Sequence, residues 1–74
     1  MISIGNLSTE DVTWGGLTFQ PAEVRIIRDS DVEAVKADVA LNTALITRQA
    51  SLYLNGALVE GELQALRELM LYSV

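Results

Sequence analysis

The chain has 74 residues, of which half are hydrophobic, and its ten acidic and five basic side chains give a net charge of −5 at pH 7. Cysteine and histidine are both absent, which excludes disulfide bonds, the usual zinc sites and the commonest nucleophile–base pairs. A domain of this size hides only about 60% of the surface that its unfolded chain exposes, so self-association or docking on a larger protein is the expected source of further stability.

Residues 1–11 show no clear hydrophobic period and are predicted to lie outside a single domain that spans residues 12–74. Ile2, Ile4 and Leu7 allow two interpretations of this segment. It is either an extended arm that pairs with the sheet edge of a neighbouring subunit, or a frayed terminus.

Residues 12–27 are predicted to form β-structure. Two β-rich triplets flank Gly15-Gly16, a two-residue loop typical of a tight hairpin. Pro21 ends the second strand or places it at an edge, and residues 24–27 make a third short strand. A meander of this size has exposed edges that a helix or another chain must cover.

Residues 29–54 are predicted to be mainly one long helix. Ser30 and Glu33 have the spacing of a capping box, in which a serine N-cap and a glutamate at N3 each bond a free backbone N–H. The apolar residues that follow form two adjacent helical stripes, a wider face than a coiled-coil seam. Such a helix can pack on its own sheet with one side and on a partner with the other.

The end of this helix depends on Asn55-Gly56, for which the sequence allows two structures. The pair is either a helix C-terminus with glycine at C′, or the type I′ turn of a further hairpin. We favour the helix end, because the helical period of apolar residues continues to Leu52. A second, shorter helix is predicted over residues 61–72. The expected fold class is therefore α+β, with a small antiparallel sheet packed by one long and one short helix.

The sequence contains no recognisable constellation for catalysis or for metal binding. Its serines have no histidine to activate them, and Lys36, the only lysine, lies in a polar helical stretch where water would solvate it. The acidic segment that begins at Asp29 has Ala34 and Ala40 where a calcium loop needs glycine and glutamate. We therefore expect a protein that is not an enzyme and has no cofactor, metal or small-molecule substrate.

The partner is expected to be protein rather than nucleic acid or membrane. Nucleic acids and anionic lipids bind clustered lysine and arginine side chains, whereas the five basic residues are scattered along the chain. No apolar run is long enough to cross a bilayer, and Met1 does not begin a secretory signal. These features predict synthesis in the cytoplasm.

Six residues are candidates for contact with that partner: Trp14, Asn42, Leu69, Met70, Leu71 and Tyr72. Trp14 is either the anchor of the small core or an exposed hot spot, since tryptophan is enriched at hot spots. Asn42 interrupts an apolar helical stripe, where it either fixes the register between helices or points to solvent. The apolar run that ends at Tyr72 covers most sides of the last helical turns, which predicts burial against a partner or against the chain's own sheet.

These expectations favour a structural protein that self-associates or cements larger proteins. In its small size and lack of cofactor ligands the chain resembles the accessory subunits of bacteriophage particles, and such a subunit would be incorporated in the virion. No motif identifies a family. The alternative is a small acidic inhibitor or adaptor of the phage anti-defence type, which binds a larger enzyme in a fixed low stoichiometry.

Overall fold

The computed structural model describes all 74 residues and contains six β-strands, three α-helices and one turn of 3-10 helix. The strands are β1 (Ile2–Asn6), β2 (Val12–Trp14), β3 (Leu17–Phe19), β4 (Val24–Ile26), β5 (Ala50–Leu54) and β6 (Ala57–Leu58). The 3-10 turn (Asp29–Asp31) precedes the helices, which are α1 (Val32–Lys36), α2 (Val39–Ile46) and α3 (Glu62–Leu71).

Four strands form an antiparallel sheet in the order β4-β1-β5-β6, and β2 pairs with β3 in a separate hairpin. This combination of helices with antiparallel sheet confirms the α+β class. β1 pairs with β5 over its whole length, from Ile2 opposite Leu54 to Asn6 opposite Ala50. The prediction for residues 1–11 is wrong, because β1 is an interior strand of the chain's own sheet.

The β2–β3 hairpin forms around Gly15-Gly16 as predicted, and the two glycines have positive φ angles of 57° and 81°. The third strand also forms, but it pairs with β1 rather than with β3. Asn6 accounts for this difference, since its buried side chain donates to the carbonyl of Phe19 and its backbone N–H donates to the carbonyl of Glu23. The first bond holds the end of the hairpin beside β1. The second brings the residue before β4 next to β1, so β4 pairs with that strand.

The prediction of one long helix is wrong, because residues 29–54 form α1, α2 and β5. Asp38 has an extended backbone between the two helices, and its carboxylate accepts the backbone N–H of Leu41 to cap α2. The capping box at Ser30 does not form, since the residue before α1 is Asp31 and no side chain caps this helix. The first helix therefore begins at Val32 without a side-chain cap, and the first helix start with a side-chain cap is at Asp38, eight residues after Ser30.

Asn55-Gly56 is a hairpin turn, so the favoured prediction of a helix end is wrong and its alternative is right. The two residues have positive φ angles of 48° and 85°, as a type I′ turn requires. This turn joins β5 to β6, with Leu54 opposite Ala57. The short helix predicted over residues 61–72 is confirmed by α3.

The helices and the β2–β3 hairpin lie on one side of the four-stranded sheet and enclose the core with it. Phe19 from the hairpin, Leu41 from α2, Leu52 from β5 and Leu69 from α3 are all fully buried in a single cluster. The other side of the sheet receives no element of the chain. None of the three helices has the length and apolar character that crossing a membrane requires.

α2 and α3 run antiparallel to each other over the sheet. The ammonium group of Lys36, before the start of α2, donates to the carbonyl of Tyr72, after the end of α3, at 2.6 Å. At the other end of the pair, Arg48 forms an ion pair with Glu62 at 3.2 Å. These two contacts align the N-terminus of each helix with the C-terminus of the other.

Candidate protein-interaction surfaces

Strand alternation divides the sheet between an inner side, which faces the helices, and an outer side. On β1, Ile2 and Ile4 join the core on the inner side, so Ser3 and Gly5 point outward. Residues paired across antiparallel strands share a side, and the register therefore extends this assignment to the neighbouring strands. We define the outer sheet face as Ser3, Gly5, Val24, Ile26, Ser51, Tyr53 and Leu58.

No element of the chain covers the outer sheet face, and its exposed side chains are aliphatic. Val24, Ile26 and Leu58 are 54%, 58% and 54% exposed, and no residue of the face carries a charge. A sheet that faces water normally has polar residues on its outer side. β4 shows the opposite arrangement, since Arg25 lies inside, with its guanidinium carbon 4.9 Å from the ring centroid of Phe19, while its apolar neighbours lie outside.

The centre of the outer sheet face is closely packed around Gly5. A Cβ atom at this position would collide with Ser51 Oγ and would lie 3.2 Å from Val24 Cγ2. The ring of Tyr53 borders the same space, and Ser51 donates a hydrogen bond to its hydroxyl at 3.3 Å. Ser3 and Ser51 are buried by these neighbours. The exposed side chains of the face are therefore those of its two edge strands, Val24 and Ile26 on β4 and Leu58 on β6, with the half-buried Tyr53 between them.

A second apolar surface lies on the opposite side of the molecule, where α2 and α3 face solvent. On each helix two exposed apolar residues lie seven positions apart, which places them on one stripe of the helix. We define the helix face by its exposed apolar residues, which are Val39, Ile46, Leu63, Met70 and Leu71. On α3 an exposed charged residue, Arg67, lies between Leu63 and Met70 of this face.

The predicted contact residues on the hairpin and on the C-terminal helix lie in different environments. Trp14 and Leu69 are only 3% and 0% exposed and belong to the core. Of the two interpretations of Trp14, the structure agrees with the core anchor, because the hairpin turns this side chain toward the helices. The period of α3 turns Leu69 toward the sheet, so neither side chain is exposed for contact with a partner. Met70 and Leu71 are exposed on the helix face, and Tyr72 is half-buried against the core.

Asn42 is half-buried on α2 and is incompletely paired. Its Nδ2 donates to the carbonyl of Lys36 over a long 3.4 Å, and its Oδ1 is buried without any hydrogen-bond partner. An unpaired buried acceptor destabilises the fold in which it lies. A role of Asn42 in fixing the register between subunits stays a prediction.

Three carboxylates have lowered pKa values, and in each case the cause is a donor of the chain itself. The backbone N–H of Gly15 is the main cause for Asp38, and that of Gln20, with the guanidinium of Arg25, lowers the pKa of Glu23. The pKa of the Glu62 carboxyl, at the start of α3, is lowered mainly by its ion pair with a guanidinium. These groups stabilise turns and helix ends. No three acidic side chains lie close enough to share a metal ion.

An open groove of about 370 Å³ lies at the edge of β5, beyond the end of β6. Leu45, Leu52 and Ala65 line its floor, and the ion pair of Arg48 with Glu62 lies on its rim. The groove contains one guanidinium and two carboxylates, of which one is already paired. The groove is therefore a gap between the helices and the edge of the sheet, lined by apolar side chains and by these few charged groups.

The chain matches no protein-family model, no curated protein and no solved structure.

The exposed residues of the sheet were missed by sequence reasoning. The alternation of Val24, Arg25 and Ile26 is visible in the sequence, but it does not show which side of the strand the helices cover. Leu58 would have been recognised as a strand residue had the hairpin at Asn55 been preferred. The outer sheet face becomes visible only when the strand register is known.

Proposed function

We propose that the protein is a non-enzymatic structural protein that assembles with copies of itself through its exposed apolar surfaces. The observation that carries this proposal is the outer sheet face, whose residues are uncharged and whose exposed side chains, those of Val24, Ile26 and Leu58, are aliphatic. Burial of apolar surface stabilises a contact by about 25 cal/mol per Å². Contiguous exposed apolar patches on small proteins usually mark interaction sites.

The distribution of charge also supports self-association. Each copy carries a net charge of −5, so two copies repel each other unless their charged groups are kept away from the contact. The ion pairs of Glu23, Glu33 and Glu62 all lie elsewhere on the molecule. None of the seven residues of the outer sheet face is charged, so a contact centred on this face keeps these ion pairs away from its middle.

A structural subunit of this kind is present in many copies in one assembly. Small size and the lack of cofactor ligands support, as a finer proposal, an accessory role in a bacteriophage particle. A small acidic inhibitor would be favoured by a dense array of free carboxylates. Here Glu23, Asp38 and Glu62 are engaged by donors of the chain itself, which does not support that alternative.

Light scattering on a sizing column, over a wide range of protein concentration, tests the proposal. One chain has a mass of 8.1 kDa, and we expect a larger mass that falls toward this value on dilution. A folded protein that remains at the mass of one chain at every concentration would overturn self-association as its function.

A further inference from the structure

Two charged residues, Arg28 and Glu60, lie just beyond the C-terminal ends of the two edge strands of the sheet, β4 and β6. Each follows a residue of the outer sheet face by two positions, Ile26 in one case and Leu58 in the other. The residue between the members of each pair packs on the core, so strand alternation places both charged side chains on the outer side. Both residues are exposed, and neither forms an ion pair within the chain.

The strand register places these residues at opposite corners of the face. If the pairing of β4 with β1 is continued by two residues, Arg28 lies opposite Met1. If the pairing of β6 with β5 is continued in the same way, Glu60 lies opposite Ser51, which itself pairs with Gly5 on β1. The corners are therefore three strand spacings, or about 14 Å, apart across the sheet and four residues, or about 13 Å, apart along it. The diagonal of about 20 Å excludes an ion pair between them in one chain.

Resting on the proposed function, we infer that the outer sheet face binds the same face of a second copy, with Arg28 of each chain paired to Glu60 of the other. The two faces are related by a two-fold axis that lies in the plane of the contact. This axis runs along the diagonal that joins the other two corners of the face, those without Arg28 or Glu60. It brings each arginine over the partner's glutamate, so both ion pairs form together.

The geometry of this contact agrees with the way sheets pack. Because the two sides of the rectangle between the corners are nearly equal, the axis runs at about 45° to the strands and the two sets of strands cross at about 90°. Orthogonal crossing is one of the two preferred arrangements of packed sheets. The face is small for a specific interface, and we therefore expect a dimer that dissociates on dilution.

Charge complementarity selects a second copy as the occupant. The centre of the face is uncharged, and the two corners carry opposite charges that are matched by the same face after a two-fold rotation. Asp29 and Asp31 follow Arg28, but they belong to the 3-10 turn beyond the end of β4 and pair with no base. The two intermolecular ion pairs offset part of the repulsion between acidic chains and fix the orientation of the contact.

Charge reversal tests this inference by sedimentation equilibrium on the full chain. Arg28→Glu and Glu60→Arg each place like charges at both corners, and we expect each to weaken the dimer about tenfold or more. The double variant Arg28→Glu/Glu60→Arg recreates both ion pairs in reverse and should return to the affinity of the unaltered chain. Arg67→Glu is the matched control, since it changes the net charge as Arg28→Glu does at an exposed site outside the face.

The inference is overturned if Arg28→Glu weakens the dimer no more than Arg67→Glu does, if Glu60→Arg leaves the affinity unchanged or raises it, or if the double variant is as weak as the single ones. Thermal unfolding followed by circular dichroism verifies that the variants fold, which these exposed, unpaired side chains should allow. A dimer that resists charge reversal but dissociates with Met70→Glu would place the contact on the helix face. That result rejects the face-to-face contact and leaves the proposed function standing, whereas a chain that is always monomeric rejects both.

Discussion

The carboxylate of Asp38 joins the hairpin to the helices: one oxygen accepts the backbone N–H of Gly15 at 2.8 Å, and the other accepts that of Leu41 at 3.0 Å. The first bond holds the hairpin turn against the helical layer, and the second begins α2. The N–H of Gly15 has the larger effect on the carboxyl, whose pKa is lowered. One side chain thus fixes both the start of a helix and the docking of a hairpin that lies 23 residues away.

Asp38→Ala is expected to lower the free energy of unfolding by about 1–2 kcal/mol, because it removes a helix N-cap and leaves the N–H of Gly15 without its acceptor. Urea denaturation at neutral pH measures the change. Asp11→Ala is the control, since Asp11 is exposed and makes no side-chain hydrogen bond, and it should change stability by less than about 0.5 kcal/mol. Equal effects of the two substitutions would contradict the role of Asp38.

Acid should weaken the fold through the same residue. The pKa of Asp38 in the folded chain lies below its ordinary value of 3.8, so its contribution to stability is complete above that value and is lost as the pH falls through the folded pKa. The pKa values of Glu23 and Glu62 are also lowered in the folded chain, so protonation of these carboxylates likewise reduces stability. Urea denaturation over an acidic pH series should therefore show stability falling with pH, and falling less steeply in Asp38→Asn. Parallel curves for the two proteins would refute this assignment.

Gly15 and Gly16 should differ in their tolerance of a side chain, although both have positive φ. A Cβ on Gly15 would lie 2.8 Å from the backbone nitrogen of Val35, whereas one on Gly16 would meet nothing within 4 Å. Gly16→Ala is expected to cost about 1–2 kcal/mol for the backbone conformation alone. Gly15→Ala should cost clearly more, because the hairpin must also move away from α1. Denaturation of the two variants in parallel decides the matter, and equal losses would show that the hairpin does not pack closely on α1.

Asn42→Leu is expected to raise the free energy of unfolding by about 1 kcal/mol, because it replaces a buried acceptor that has no partner. Thermal unfolding of dilute protein, below the concentrations at which the proposed association would occur, measures the gain. Thr43→Leu, at an exposed neighbouring position on α2, serves as the control and should have little effect. A loss of stability in Asn42→Leu would mean that the amide makes a contact that the fold depends on.

Local signals in the sequence were sufficient for some elements. Gly15-Gly16 predicted its hairpin because a two-residue turn needs positive φ angles that glycine supplies. α3 was predicted because its apolar residues recur with the helical period over ten positions. In both cases the structure is determined by residues that are neighbours along the chain.

Other elements depend on contacts between distant residues, and the sequence did not reveal them. β1 contains glycine and asparagine, which are rare in strands, and it is a strand because it pairs with β4 on one side and β5 on the other. The helix predicted across residues 29–54 failed because Asp38 finds a donor in the distant hairpin. Met70 and Leu71 were correctly placed in the last turn of a helix, and their contact with a partner stays a prediction, whereas the outer sheet face required the register of four strands.

The most direct test of the account is the native mass of Ile26→Lys, measured by sedimentation velocity beside Leu71→Lys as the matched control. Both substitutions place a lysine at an exposed apolar site, on the outer sheet face in one case and on the helix face in the other. We predict that Ile26→Lys remains at 8.1 kDa at concentrations where the unaltered chain and Leu71→Lys are dimers. A folded Ile26→Lys protein that dimerises as strongly as the unaltered chain would contradict association through the sheet.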